Sequence, residues 1–170
     1  MPPHCDALDG PVVKAAVRAL EEEDVDLILP YVKADGEDEV RTAFARAVSA
    51  RRSAPGAREV ADRYLFETVV RIHRAGEGAP YTGLKPAGLD VGPVIPAAER
   101  AIETGSPDEL LALLQDALHD EVKHRLDEVM MLRENADGPV PKARAYVEAM
   151  LGLQVWSHRL YRAIRASAHG

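Results

Sequence analysis

The sequence predicts an all-α protein: a helical bundle of four main helices with shorter helices and one long ordered loop. Three observations lead there. Ala, Leu, Glu and Arg dominate, only 5% of residues are aromatic, and no run alternates apolar and polar residues long enough for a half-buried strand. The 170 residues, 46% of them hydrophobic, are enough to close one ordinary core. A single domain over 1–170 is therefore expected, with 1–9 as an N-terminal hook and 75–93 as the ordered loop.

The helices follow from local signals. Asp9-Gly10-Pro11 reads as a cap and a first-turn proline, after which Val13, Ala16, Val17 and Leu20 recur at helical spacing to about Glu23. Pro30 limits the next segment, about Asp24 to Val32, to a single turn or an extended connector. Val40, Ala43, Phe44, Ala47 and Val48 mark a helix from about Glu37 to Arg52, which Ser53-Ala54-Pro55-Gly56 ends. From Ala57 to about Arg74 apolar residues spread around most of the helix, the mark of a central one. Gly76, Gly78, Pro80, Gly83, Pro86, Gly88, Gly92 and Pro93 then exclude regular structure. A short helix from about Ile95 to Glu103 follows. Ser106-Pro107-Asp108-Glu109 opens a long one to about Glu134, and the last runs from about Pro141 to Ala166.

Charge and cysteine content narrow the function. With 21 Lys and Arg against 28 Asp and Glu, the net charge is −7, and no basic patch offsets it, which argues against nucleic acid or an anionic membrane surface as a partner. Cys5 is the lone cysteine, so an intramolecular disulfide and a multi-cysteine metal site are excluded. No stretch reaches the ~18 apolar residues of a membrane span, and the start has no charged and apolar leader pattern. A cytoplasmic protein is expected.

Winding the long helices at ~100° per residue places polar groups inside apolar stripes. Between Pro107 and Glu134, Arg125 lies about 10° and Glu121 about 50° from the stripe centre, four residues apart and able to pair. In the last helix Gln154 and His158 fall on the stripe of Val147, Leu151 and Tyr161, so His158 is expected to point inward. His73 falls on the stripe of Phe66, Val69 and Val70, one turn before the loop. Buried imidazoles need partners, and bundles build metal sites from His and carboxylates on facing helices. A hydrogen-bonded polar core would satisfy the same residues. Glu121 and His124 form one Glu-x-x-His pair, but Val70 and Val155 stand where a second would need Glu, so a complete di-iron set is absent. His119, His124 and His169 are expected in solvent. Glu67, about 120° from His73, has Arg71 as its expected ion-pair partner. Beside Tyr64 it is also a candidate ligand or proton shuttle.

His4-Cys5-Asp6 sets imidazole, thiol and carboxylate in succession, a donor set suited to Ni, Fe, Zn or Cu rather than Mg or Ca. Pro2 and Pro3 stiffen its start and the Asp9-Gly10-Pro11 turn fixes its end. The opening Pro-Pro-His-Cys-Asp-Ala-Leu-Asp-Gly-Pro-Val-Val, with Phe-Glu-Thr-Val-Val-Arg-Ile-His-Arg at 66–74 and Gly-Ala-Pro-Tyr-Thr-Gly-Leu-Lys-Pro-Ala-Gly-Leu-Asp at 78–90, resembles an uncharacterised bacterial family of about this length. That resemblance implies no activity. His-Cys-Asp itself is similar to the start of the metal-binding hook of nickel superoxide dismutase, another helical bundle. That likeness implies nickel held by an N-terminal amine and imidazole, a backbone amide and two thiolates. Here His4 is not the first residue and Asp9 stands where a second thiolate would be.

These readings converge on a small metalloprotein. His4, Cys5, His73 and His158 are its candidate ligands, Glu67 and Glu121 its candidate catalytic carboxylates, and Tyr81 and Lys85 the loop groups expected at a pocket mouth. One transition metal with an open position would act on a small molecule by redox or Lewis-acid chemistry. The glycines lack phosphate-loop spacing. Two other classes fit the same residues: a metal-free small-molecule binder or Cys5-dependent enzyme, and a non-catalytic scaffold or sensor that forms a homodimer or higher homo-oligomer.

Overall fold

Gly10 and Pro11 start the first long helix, and the glycine is required by a close approach. A Cβ at Gly10 would stand 1.9 Å from the His4 carbonyl oxygen, so only a bare backbone lets the N-terminal turn fold back over the helix start. In the computed structural model, which describes residues 3–166, that turn is a 3-10 helix, Pro3–Asp6. Pro2 and His169 lie outside the described residues. The α-helices are α1 (Pro11–Glu22), α2 (Glu37–Ser53), α3 (Arg58–Gly76), α4 (Val94–Thr104), α5 (Asp108–Leu132) and α6 (Val140–Arg165). The fold is all-α, with no strand among the described residues. The Pro30 segment forms two 3-10 turns, Val25–Leu27 and Leu29–Tyr31, because proline removes a backbone donor and stops a longer helix.

Backbone contacts gather the chain into two compact units, Met1–Gly92 and Pro93–Gly170. The first has a sealed core. Val12, Val13, Ala16 and Leu20 from α1, Val40, Ala43 and Phe44 from α2, and Leu65, Val69 and Val70 from α3 meet there, with Ile28 closing it. Acids in the first turn of α2 and Arg51 and Arg52 in its last complement the helix dipole. α3 carries the most buried residues of the three, as its spread of apolar residues predicts, yet its Val60 and Tyr64 are exposed.

The breaker-rich segment packs as an ordered loop. Tyr81 and Leu84 lie against the core. Lys85 bridges the N-terminal segment in parallel at Ala7: its N–H donates to the Asp6 carbonyl at 2.8 Å, and its own carbonyl accepts from Leu8 at 3.0 Å. Asp9 accepts from the Gly88 N–H at 2.8 Å, so the loop ties down the hook by backbone and side chain together.

The second unit is α4 followed by the packed pair α5 and α6. Gly105, at φ 69°, ends α4 in the left-handed conformation that glycine tolerates. Ser106 Oγ accepts from the Asp108 N–H at 3.3 Å at the start of α5. Arg100 of α4 grips Glu109 of α5 with two hydrogen bonds. Burial here is sparse: α5 buries Val129, α4 buries Ala97, and α6 has no fully buried residue. No helix among the described residues is long and apolar enough to cross a membrane.

Candidate metal centre

The end of α3 is where the hook and the core meet. Arg74 points into the first unit and is 4% exposed; its Nε donates to Asp6 Oδ1 at 2.6 Å, in an ion pair whose two side chains are 5% and 4% exposed. A guanidinium and a carboxylate so far from water are tolerable only as a pair. The Arg74 Nη1 lies 3.4 Å from Glu77 Oε2. The other oxygen, Glu77 Oε1, lies 3.3 Å from His73 Nε2. At the far side of the ring, His73 Nδ1 stands 2.7 Å from the Tyr31 carbonyl oxygen. Asp6, Arg74, Glu77, His73 and Tyr31 thus form one continuous polar chain from the hook to the second 3-10 turn.

The chemistry of this chain turns on His73. A carbonyl has no proton to give, so the Tyr31 contact makes Nδ1 the N–H donor. Nε2 is then a lone pair in the neutral ring, buried without a hydrogen-bond partner and facing a carboxylate oxygen. Two acceptors held 3.3 Å apart call for a shared cation, either a proton on Nε2 or a metal ion. A backbone carbonyl on the opposite ring nitrogen is also the usual arrangement behind a histidine that ligates through Nε2.

Cys5 sits beside this chain, buried and reduced. Burial pushes its thiol pKa up, the Glu77 carboxylate adds to the rise, and Arg74 opposes it. That environment disfavours a free thiolate, the reverse of an activated nucleophile. Both ring nitrogens of His4 lie 3.9–4.0 Å from the Cys5 Sγ. His4, Cys5, His73 and Glu77 therefore belong to the first unit. Among the described residues no group of three or more His, Cys, Asp or Glu side chains stands ready to hold a metal.

The remaining candidates are placed otherwise. His158 belongs to the second unit and is exposed on α6. The inward orientation expected for it fails because the stripe it shares with Val147, Leu151 and Tyr161 is itself uncovered. Glu121 pairs with Arg125 at 2.6 Å, as its spacing suggests, and Arg125 also lies over the Trp156 ring, 4.8 Å from its centre. Glu67 pairs with Arg63, not with Arg71, at 2.9 Å. Arg71 reaches across to Glu39 instead. Lys85 Nζ donates to the Thr82 carbonyl within its own loop. Tyr81 packs inward, where burial and then the Glu67 carboxylate raise its pKa.

Sequence reasoning missed Arg74 and Glu77. The signal was available: Glu77 stands four residues after His73 and three after Arg74, so one helix end carries all three on adjoining faces. A helix end read as the start of a loop concealed it.

Over residues 9–156 the chain matches the Family of unknown function (DUF6448), and it belongs to that family. No curated protein and no solved structure matches it. The matched span begins after His4-Cys5-Asp6 and includes His73 and Glu77.

Proposed function

We propose that this DUF6448 protein binds one transition metal ion, Ni, Fe, Zn or Cu, at the junction of the N-terminal hook and the end of α3, and uses it on a small molecule. The observation that carries the reading is the buried His73 Nε2, without a hydrogen-bond partner, 3.3 Å from Glu77 Oε1. Two ligands of one ion bound at about 2.0–2.2 Å stand roughly this far apart when the angle between them is near a right angle or somewhat wider. His73 and Glu77 supply two donors. Cys5 and His4 of the hook are the further donors in this reading, and metal binding would release the thiol proton. An ion that takes five or six ligands keeps a position open to a small molecule beside these four donors, and it would supply redox or Lewis-acid chemistry there. Arg74, anchored on Asp6 at 2.6 Å and 3.4 Å from Glu77 Oε2, holds Glu77 in place. A reduced thiol as ligand is suited to a reducing compartment such as the cytoplasm.

The test uses untagged protein. Metal analysis should find one ion per chain, cobalt substitution should give a thiolate charge-transfer band that Cys5→Ser abolishes, and His73→Ala should lose the metal. Protein that carries no stoichiometric metal and keeps its stability under chelation would overturn the reading.

A second reading rests on the two oxygens that flank the His73 ring, the Tyr31 carbonyl at 2.7 Å and Glu77 Oε1 at 3.3 Å. In it the proton is the shared cation, His73 is an imidazolium clamped between Tyr31 and Glu77, and the site is a metal-free binder of a small molecule. A nitrogen-15 spectrum of His73 distinguishes the two: both ring nitrogens protonated supports the clamp, and a metal-dependent shift at Nε2 supports the metal.

A further inference from the structure

The second unit leaves long apolar rows uncovered. On α5, Leu114, Leu118, Val122 and Leu126 recur every fourth residue, each between 38% and 46% exposed. On α6, Val147, Leu151 and Val155 do the same, between 42% and 47% exposed. A groove of about 480 Å³ runs beside Leu118, Val122 and Leu126. Rows at this spacing lie along one side of a helix, and single scattered apolar residues would not produce them.

Size and charge identify the occupant. α5 and α6 have 25 and 26 residues, so each is about 37–39 Å long at 1.5 Å per residue. Covering a side roughly 10 Å wide on both would bury about 750 Å² per copy and about 1,500 Å² in a pair, the size of a stable specific interface. α5 carries seven acids against two Lys and Arg, net −5, whereas α6 carries five Lys and Arg against one acid, net +4. A partner presenting a basic and an acidic helix of equal length fits both rows, and a second copy of this chain is such a partner.

We propose that this face is a homodimer interface in which α5 of one protomer lies against α6 of the other, twice, about a two-fold axis. Isologous pairing of this kind sets acidic helix on basic helix at both contacts. Packing α5 on α5 would oppose two net negative helices.

Sedimentation velocity of the full chain across micromolar concentrations tests the proposal, with helical circular dichroism as the control for folding. The expected species is a dimer. Leu118→Glu and Leu151→Lys, each alone, should weaken self-association roughly tenfold or more, the cost of a charge at a buried contact. Mixing the two variants should restore a dimer, because one of its two helix contacts then opposes Glu to Lys and the other is native. If either variant fails to fold, Gln115→Lys and Gln154→Glu carry the same test at exposed positions, each setting a like charge against the helix it faces. A chain monomeric at every concentration overturns the proposal, and protection of the row from labelling in that monomer would assign its cover to the rest of the same chain. A dimer indifferent to both substitutions, or no recovery on mixing, overturns it as well.

Discussion

The two compact units use similar residues to opposite ends. In the first, Val12, Leu65, Val69 and Val70 are wholly buried, and even the polar Asp6 and Arg74 are drawn inside as a pair. In the second, leucines and valines at equally regular spacing stay close to half exposed. Helical periodicity is the same in both. The difference is the number of elements that converge: three helices, the hook and the loop close the first core, while α5 and α6 have each other and α4. An amphipathic pattern states that a face wants cover, and only the assembly states what covers it.

Substitutions that act on one unit and spare the other sharpen this contrast. The largest effect should come from Arg74→Met, which strands the Asp6 carboxylate inside the core. A loss of about 3–5 kcal/mol of stability is expected in urea unfolding, and the double variant Asp6→Leu/Arg74→Met should recover much of it.

Leu65→Ala should cost about 2–5 kcal/mol, whereas Leu118→Ala, measured on dilute monomer, should cost far less, near the ~0.5 kcal/mol of surface sites. Equal losses would break the distinction between the units. Gly10→Ala forces the His4 carbonyl away and should cost about 1–3 kcal/mol as an overpacked contact. Faster alkylation of Cys5 would report the undocked hook directly.

Cys5 gives a pH signature. Its folded pKa is raised by burial and by Glu77, so the folded state holds the thiol proton more tightly than the unfolded chain. Stability from this group is complete below the ordinary thiol pKa of about 8.5 and declines as pH rises through the raised value. In metal-free protein, Cys5→Ala should flatten that alkaline limb of the unfolding curve. The smallest effect belongs to Glu67→Gln: its pair with Arg63 is exposed at 44% and 66%, and about 0–1 kcal/mol is expected.

The helices were legible because their signals are local. Pro11 after Gly10, the stop at Ser53-Ala54-Pro55-Gly56 and the turn at Ser106 act within a few residues, and predicted ends fall within about two residues of those observed. The polar site was half legible. His73 stood out by its stripe and His4-Cys5-Asp6 by its composition, but their link runs through Arg74, whose pair with Asp6 spans a sequence separation that no periodicity encodes. Asp6 and Arg74 are 68 residues apart. His158 misled for the complementary reason, since winding a helix finds its stripe without saying whether another element lies over it.

By itself the sequence determined that this chain is helical, where the helices begin and end, and that its N-terminal imidazole, thiol and carboxylate travel together. Propensity, caps and proline act over a turn or two, and they are written in the order of the residues. The tertiary structure decided which of the polar groups share a place: Asp6 with Arg74, His73 with the Tyr31 carbonyl, and His158 with solvent. Those choices come from burying charge only where an opposite charge can follow it, a condition set by the three-dimensional meeting of distant segments.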